Sequence, residues 1–254
     1  MSVYIDDCRY ETWEADMSRS VHDAPLPELL MPQTQLQRDA RELARHYEGV
    51  FSPQTVERVI FESYASLRRT ARVTAHLPSI ARRFATDRLK ALAQAEGAVA
   101  KDVPEVLFIC VQNSGRSQMA AALMAHRSEG RVHVRSAGSL PGSGIDENCA
   151  AVMAEMGLDL GKEYPKPLTD DVVAAADVVI SMGCGDACAV YPGKRYLDWD
   201  VSDPAGQDLD RVRSIRDDID ARVRGALPEI VAMTPSDASG LTASHGADGG
   251  VGSS

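Results

Sequence analysis

Hydrophobic residues recur at helical spacing in three successive segments near the start of the chain. The segments begin at Pro32, at Pro53 directly after an N-cap serine, and at Pro78. Helices of this length predict a small three-helix bundle over residues 32–97. The preceding residues 1–31 are polar and acidic without a periodic pattern, which predicts a flexible arm.

The pattern changes to alternating strands and helices after a predicted linker at residues 98–104. Val106–Ile109 is continuously apolar, as in a strand buried on both faces, and helix-forming residues follow from Ser117. The other predicted strands and helices lie at 132–136, 147–156, 177–181 and 208–231. This alternation predicts a doubly wound, four-stranded parallel sheet in a domain over residues 105–233. Residues 234–254 are rich in serine, glycine and alanine, which predicts a disordered tail.

The charge and composition of the chain limit its partners. The formal net charge is −10 at pH 7, which argues against binding to nucleic acids or to anionic membranes. No apolar run reaches membrane-spanning length and the acidic N-terminus lacks a signal sequence, so we expect a cytoplasmic location. Acidic residues are interspersed among the basic residues of the predicted bundle, so we interpret its arginines as a solvated face: Arg68, Arg69, Arg72, Arg82, Arg83 and Arg88.

A cysteine, five further residues, an arginine and a serine connect the first predicted strand to its helix. Cys110 ends the strand, and Arg116 and Ser117 begin the helix. Backbone N–H groups of such a loop can surround an anion, and an arginine can bind two of its oxygens. The same positive charge stabilises a cysteine thiolate, which is the nucleophilic form of the side chain. The sequence therefore predicts a catalytic Cys110 in a loop that binds a tetrahedral oxyanion, formed by Val111, Gln112, Asn113, Ser114, Gly115, Arg116 and Ser117.

Two more cysteines follow a later predicted strand. Cys184 and Cys188 come directly after 177–181, and the carboxyl ends of parallel strands meet at one edge of a sheet. A spacing of four residues on a helical turn is compatible with a disulfide. The two thiols could also be unconnected, or could bind a metal or metalloid together with Cys110; we favour a redox relay of the three thiols. Cys149 lies in an apolar helical pattern and is predicted to be a core residue.

The segment from Cys110 to Leu123 resembles the oxyanion loop of the low-molecular-weight tyrosine phosphatase superfamily, and specifically of its arsenate reductase branch. The resemblance covers residues 103–231, and the three-helix segment before it is similar to one found in some actinobacterial arsenate reductases. It implies that the Cys110 thiolate attacks arsenate and that Arg116 binds the anion. It also implies that Asp203, which precedes a proline, is the general acid.

The resemblance further implies how the electrons move. Cys184 attacks the adduct of Cys110 with arsenic, arsenite leaves, and Cys188 then moves the disulfide to the pair Cys184 and Cys188. An external dithiol re-reduces this disulfide: thioredoxin, which we favour, or mycothiol with mycoredoxin. No bound cofactor or metal is predicted, because Ala121 and Ala122 stand where some relatives carry an acid that helps to bind potassium.

Two other functions remain open. One is tyrosine phosphatase activity, although Ala205 and Gly206 stand where phosphatases carry aromatic residues that wall the pocket, which favours a small inorganic oxyanion here. The other is a thiol-based arsenite or redox sensor that binds without turnover. Asp198 and Asp200 compete with Asp203 for the role of general acid, but neither precedes a proline.

Overall fold

A computed structural model describes residues 32–71, 74–183 and 192–233. Three helices come first: α1 (Pro32–His46), α2 (Pro53–Arg68) and α3 (Leu77–Ala95). Strands and helices then alternate: β1 (Glu105–Cys110), α4 (Arg116–Ser128), β2 (His133–Gly138), α5 (Glu147–Ala154), α6 (Asp170–Ala175), β3 (Val178–Ser181), β4 (Arg195–Asp198) and α7 (Leu209–Val231). The predicted arm at 1–31 and tail at 234–254 lie outside the described residues. None of the described helices is long and apolar enough to cross a membrane.

The three N-terminal helices pack around a shared hydrophobic core. Its buried side chains come from all three helices and include Leu36, Ile60 and Phe84. Ser52 caps α2, because its side chain accepts a hydrogen bond of 3.1 Å from the N–H of Thr55. The predicted helical bundle is therefore confirmed.

The strands form one parallel sheet in the order β2-β1-β3-β4. Helices lie on both of its faces, which confirms the predicted doubly wound architecture. β2 extends to Gly138 rather than ending at residue 136, and Gly138 pairs with Cys110 at the carboxyl end of β1. The pattern of the sequence did not locate β4, because this short edge strand is exposed at both ends and carries no continuous apolar run.

The two faces of the sheet have different coverings. Val106 and Phe108 of β1 pack with side chains of α4, α5 and α7. Leu107 and Ile109 pack on the opposite face with α6 and with Ala91 of α3. α3 therefore packs both in the N-terminal bundle and against the parallel sheet, so the bundle supports the strand that ends at Cys110.

The prediction of a solvated arginine face holds for Arg68, Arg69 and Arg83, which are exposed, whereas Arg82 and Arg88 form ion pairs between helices; Arg72 lies outside the described residues. The Arg88 side chain is 11% exposed, and its Nε donates to Asp171 Oδ2 of α6 at 2.9 Å. Arg82 of α3 forms ion pairs with Asp39 and Glu42 of α1. These arginines join helices to one another, because their partners are supplied by segments distant in sequence.

A buried charge cluster at the start of β1 contributes to the response of the fold to acid. Glu105 is 1% exposed and lies 3.1 Å from His133 Nδ1 and 3.4 Å from Arg135 Nε. Burial alone would raise the pKa of Glu105, but hydrogen bonding and charge from His133 and Arg135 lower it from 4.5 to about 2. A lowered pKa in the folded state stabilises the fold above pH 4.5, and this contribution is lost as the pH falls towards 2.

We expect Glu105→Gln to lower the free energy of unfolding at neutral pH by roughly 2–3 kcal/mol, because the stabilising charge is removed. The substitution should also flatten the dependence of this free energy on pH between 4.5 and 2. Denaturant unfolding at several pH values measures both effects. The exposed Glu96→Gln serves as the control, and an unchanged pH dependence in Glu105→Gln would contradict the role given to Glu105.

Candidate active site

The loop after β1 is folded so that its carbonyl groups point outward. The carbonyls of residues 110–115 all accept hydrogen bonds, from the N–H groups of Ser139, Leu140, Gly142, Asp146 and Met119 and from the side chain of Gln118. This leaves the N–H groups of the loop on its inner side, at the N-terminus of α4. Such a backbone arrangement can bind an anion.

Cys110 lies at the base of this loop and is 2% exposed. Its Sγ accepts a hydrogen bond of 3.2 Å from the N–H of Asn113 and lies 3.0 Å from Ser117 Oγ. The hydroxyl of Ser117 accepts a hydrogen bond of 2.7 Å from Asn113 Nδ2, so its own hydrogen can point at the sulfur. Two hydrogen-bond donors therefore converge on the Cys110 sulfur.

Asn113 shapes the loop from within. It is fully buried and has a φ of 49°, in the left-handed region, which asparagine adopts more readily than most other non-glycine residues. Its Oδ1 accepts hydrogen bonds from Gln118 Nε2 at 2.9 Å and from the backbone N–H of Lys166 at 2.8 Å. The sequence did not indicate Gln118 or Lys166 as site residues, because these contacts join segments that no local pattern relates.

Arg116 and Asp203 meet across the mouth of the loop. The Arg116 side chain is 11% exposed, and its Nη2 donates to Asp203 Oδ2 at 3.0 Å. The Asp203 side chain is 59% exposed, and its Oδ1 accepts a hydrogen bond from the N–H of Ala205. The carboxylate therefore lies between the guanidinium and the solvent.

The loop and the segment around Asp203 border a cavity of about 20 Å³. The cavity therefore opens between the anion-binding loop and the carboxylate of Asp203. Asp198 and Asp200 are not among the residues that border it, whereas Asp146, which sequence reasoning missed, is. The bordering residues are Cys110, Gln112, Ser114, Gly115, Arg116, Asp146, Asp203, Pro204 and Ala205.

Cys149 of α5 lies behind the loop. It is fully buried, which confirms the predicted core position, and burial together with nearby Asp146 raises the pKa of its thiol. A thiol that stays protonated is a poor nucleophile. A Cβ added at Gly115 would lie 3.0 Å from Cys149 Sγ and 2.9 Å from Pro204 Cγ, so the glycine allows three segments to meet here.

Gly138 provides a test of how tightly the loop is packed. A Cβ added at Gly138 would lie 2.8 Å from the carbonyl oxygen of Val111 and 2.9 Å from Asn113 Cβ. We expect Gly138→Ala to displace these loop residues, to lower the free energy of unfolding by about 1–3 kcal/mol and to weaken phosphate binding. Thermal unfolding and isothermal titration measure the two effects. Gly144→Ala is the control, since nothing lies within 4 Å of its added Cβ, and equal phosphate affinity in the two variants would contradict this packing.

Two of the three predicted site cysteines lie outside the described residues. Cys184 and Cys188 fall within 184–191, between β3 and β4, so their part in the site stays a prediction. Cys110 and Cys149 are free thiols within the described part of the chain. In the ranges that the structure describes, no group of three or more His, Cys, Asp or Glu side chains is placed to hold a metal ion.

Comparison with known proteins relates both parts of the chain to described families. Residues 36–93 match the protein-tyrosine-phosphatase-like N-terminal domain, and residues 105–234 match the low molecular weight phosphotyrosine protein phosphatase family. A putative arsenate reductase of Halobacterium salinarum is 37% identical over 121 residues, which are 46% of this chain and 85% of that protein. A glutaredoxin arsenate reductase of Synechocystis is 32% identical over 130 residues, which are 50% of this chain and 98% of that protein.

A solved structure extends the similarity beyond the phosphatase-like part. The thioredoxin-dependent arsenate reductase of Corynebacterium glutamicum is 51% identical to this chain, with a TM-score of 0.71 over 78% of this chain and 97% of that one. The resemblance inferred from the sequence motifs is therefore confirmed. The chain belongs to the low molecular weight phosphotyrosine protein phosphatase family, in its arsenate reductase branch.

Proposed function

We propose that this protein reduces arsenate to arsenite with thioredoxin as its external reductant. The observation that carries the proposal is the convergence of the Cys110 loop, Arg116 and Asp203 on one cavity. A small tetrahedral oxyanion suits this cradle, whereas an aryl phosphate needs a longer slot with aromatic walls. Ala205 borders the cavity where such a wall would stand.

Arsenate binding exchanges one ionic contact for another. Arg116 Nη2 is paired with Asp203 Oδ2 in the structure. Arsenate takes this place on the guanidinium, where two N–H groups can bind two of its oxygens, while the loop N–H groups bind the others. The displaced Asp203 carboxyl stays close to the anion because Pro204 stiffens the chain that follows it. Asp203 can then donate a proton to an oxygen that departs.

The first chemical step joins sulfur to arsenic. The Cys110 thiolate attacks the arsenic atom, and a hydroxyl group of the protonated arsenate leaves as water after receiving one proton from Asp203. The Asn113 N–H and the Ser117 hydroxyl hold the sulfur towards the loop interior. Arsenic keeps its oxidation state of five in this adduct, so no electrons have yet been transferred.

The second step transfers two electrons. The Cys184 thiolate attacks the Cys110 sulfur, the sulfur–arsenic bond breaks, and its electron pair stays with arsenic, which leaves as arsenite. Cys188 then attacks Cys184, releases Cys110 as a thiolate and leaves a disulfide between Cys184 and Cys188. The pairing of β3 with β1 supports this relay, because Ser181 lies opposite Ile109, one residue before the nucleophile.

Thioredoxin is the favoured reductant because the Corynebacterium glutamicum relative, at 51% identity, is thioredoxin-dependent. Its dithiol would supply the two electrons that restore Cys184 and Cys188 to thiols. Mycothiol with mycoredoxin is the alternative reductant. In that case a small thiol attacks the arsenic adduct in place of Cys184, and neither Cys184 nor Cys188 is needed.

Product analysis tests the proposed function. The purified protein is incubated with arsenate, thioredoxin, thioredoxin reductase and NADPH, and arsenite is quantified alongside hydrolysis of p-nitrophenyl phosphate. We expect many arsenite molecules per chain and little hydrolysis. Hydrolysis without arsenite formation would favour a tyrosine phosphatase, and stoichiometric arsenite binding without arsenate turnover would favour a thiol-based sensor.

A further inference from the structure

A short segment of the phosphatase-like part packs against the N-terminal helices. This segment, residues 159–167, lies between α5 and α6. Its Tyr164 is 8% exposed and packs in the hydrophobic core of α1, α2 and α3. The Arg83 guanidinium of α3 lies 5.2 Å from the centroid of the Tyr164 ring, and Arg83 Nη1 donates to the Lys162 carbonyl at 3.0 Å. The N-terminal helices thus hold a side chain that belongs to the phosphatase-like part.

The backbone of the same segment holds the oxyanion loop. The Tyr164 carbonyl accepts a hydrogen bond of 3.1 Å from Gln118 Nε2, and the Lys166 N–H donates to Asn113 Oδ1 at 2.8 Å. The Lys166 carbonyl also accepts a hydrogen bond of 2.8 Å from the N–H of Gly138. A displacement of the Tyr164 ring would therefore move the groups that hold Asn113.

Asn113 receives these contacts while its backbone is in the left-handed region. Its left-handed backbone places its N–H 3.2 Å from Cys110 Sγ and its Nδ2 2.7 Å from Ser117 Oγ. A return of Asn113 to an ordinary backbone conformation would turn both donors away. We therefore expect the shape of the loop to respond to the contacts from Gln118 and Lys166. These contacts in turn follow the position of Tyr164 in the helical core.

We propose that the N-terminal helices position the oxyanion loop, with Tyr164 and Arg83 as positioning residues that act through Asn113. The inference depends on the proposed function only for the substrate, because the shape of the loop affects the binding of any tetrahedral oxyanion. The Tyr164 hydroxyl is buried and has no hydrogen-bond partner among the described residues. The aromatic ring, rather than the hydroxyl, is therefore the part that acts.

Four variants of the full chain separate positioning from folding. Tyr164→Ala removes the ring, whereas Tyr164→Phe keeps the ring and removes only the unpartnered hydroxyl. Arg83→Met removes the guanidinium from an exposed position of α3, where loss of folding is not expected. Arg82→Met is its matched control, since Arg82 is the neighbouring residue and forms its ion pairs with α1.

Phosphate affinity by isothermal titration and the KM and kcat for arsenate are measured below the unfolding temperature of each variant. We expect Tyr164→Ala to weaken phosphate binding and raise the KM roughly tenfold, and Arg83→Met to do so roughly threefold, with smaller changes in kcat. Tyr164→Phe and Arg82→Met should match the wild type. If Tyr164 contributed only to stability, folded Tyr164→Ala would bind phosphate as tightly as Tyr164→Phe.

Wild-type phosphate affinity in folded Tyr164→Ala would overturn the inference, as would an equal loss in Arg82→Met and Arg83→Met. If Tyr164→Ala does not fold, the comparison of Arg83→Met with Arg82→Met decides. If the wild-type protein binds phosphate but reduces no arsenate, the proposed function is wrong. The comparison of phosphate affinities among the variants still tests the positioning role.

Discussion

Replacement of Cys110 by serine is expected to abolish arsenate reduction, with a loss of roughly 10⁴-fold or more in rate. A serine hydroxyl is not ionised at neutral pH and cannot form a disulfide, so neither the arsenic adduct nor the electron transfer can follow. The loop N–H groups and Arg116 remain in place, so phosphate affinity should stay within about threefold of the wild type. Arsenite quantification and isothermal titration with phosphate measure the two properties separately.

Cys149→Ala is the control for Cys110→Ser, because Cys149 is the other free thiol in the described part of the chain and is fully buried behind the loop. It should retain most of the arsenate turnover. Substantial turnover by Cys110→Ser would show that Cys110 is not the nucleophile. A loss of similar size in Cys149→Ala would show that packing around the loop, rather than the nucleophile, limits the rate.

Replacement of Cys188 by serine is expected to permit one arsenite per chain and to eliminate further turnover. Cys184 can still attack the Cys110 adduct and release arsenite, but no thiol then remains to free Cys110 from the disulfide. Rapid quenching should therefore give a burst of one arsenite per chain. Mass spectrometry of the quenched protein should find Cys110 joined to Cys184.

Cys184→Ser is the companion variant for Cys188→Ser, because it removes the earlier thiol of the same relay. It should stop at the arsenic adduct and give no burst of arsenite with thioredoxin. Undiminished steady-state turnover in Cys188→Ser would contradict the relay. Undiminished turnover in both variants would indicate that the external reductant attacks the adduct directly.

The elements that position Cys110 could be predicted from the sequence because their signals are local. A continuous apolar run at Val106–Ile109 has the composition of a strand buried on both faces, and both of its faces are covered in the structure. The placement of a cysteine and an arginine on either side of a short loop likewise follows from adjacency in the chain. The parallel direction of the strands follows from the alternation of strands and helices, whereas the position of β4 could not be predicted.

The support of the loop could not be predicted, because it comes from contacts between segments far apart in the sequence. Lys166 takes part through its backbone N–H, which every residue other than proline possesses. Tyr164 lies in the phosphatase-like part by sequence but in the helical bundle by packing. Arg88 has the same local pattern as a solvated residue and becomes buried only when Asp171 is brought against it. Tertiary structure supplies these partners.

The rate of NADPH oxidation by the protein with arsenate, thioredoxin and thioredoxin reductase is the most direct test of thioredoxin-coupled arsenate reduction. We predict oxidation that requires both arsenate and thioredoxin, and that disappears in Cys110→Ser, Cys184→Ser and Cys188→Ser. A parallel assay replaces thioredoxin with mycothiol and mycoredoxin. Oxidation with mycothiol alone would contradict the three-cysteine relay, and no arsenate-dependent oxidation with either reductant would contradict arsenate reduction itself.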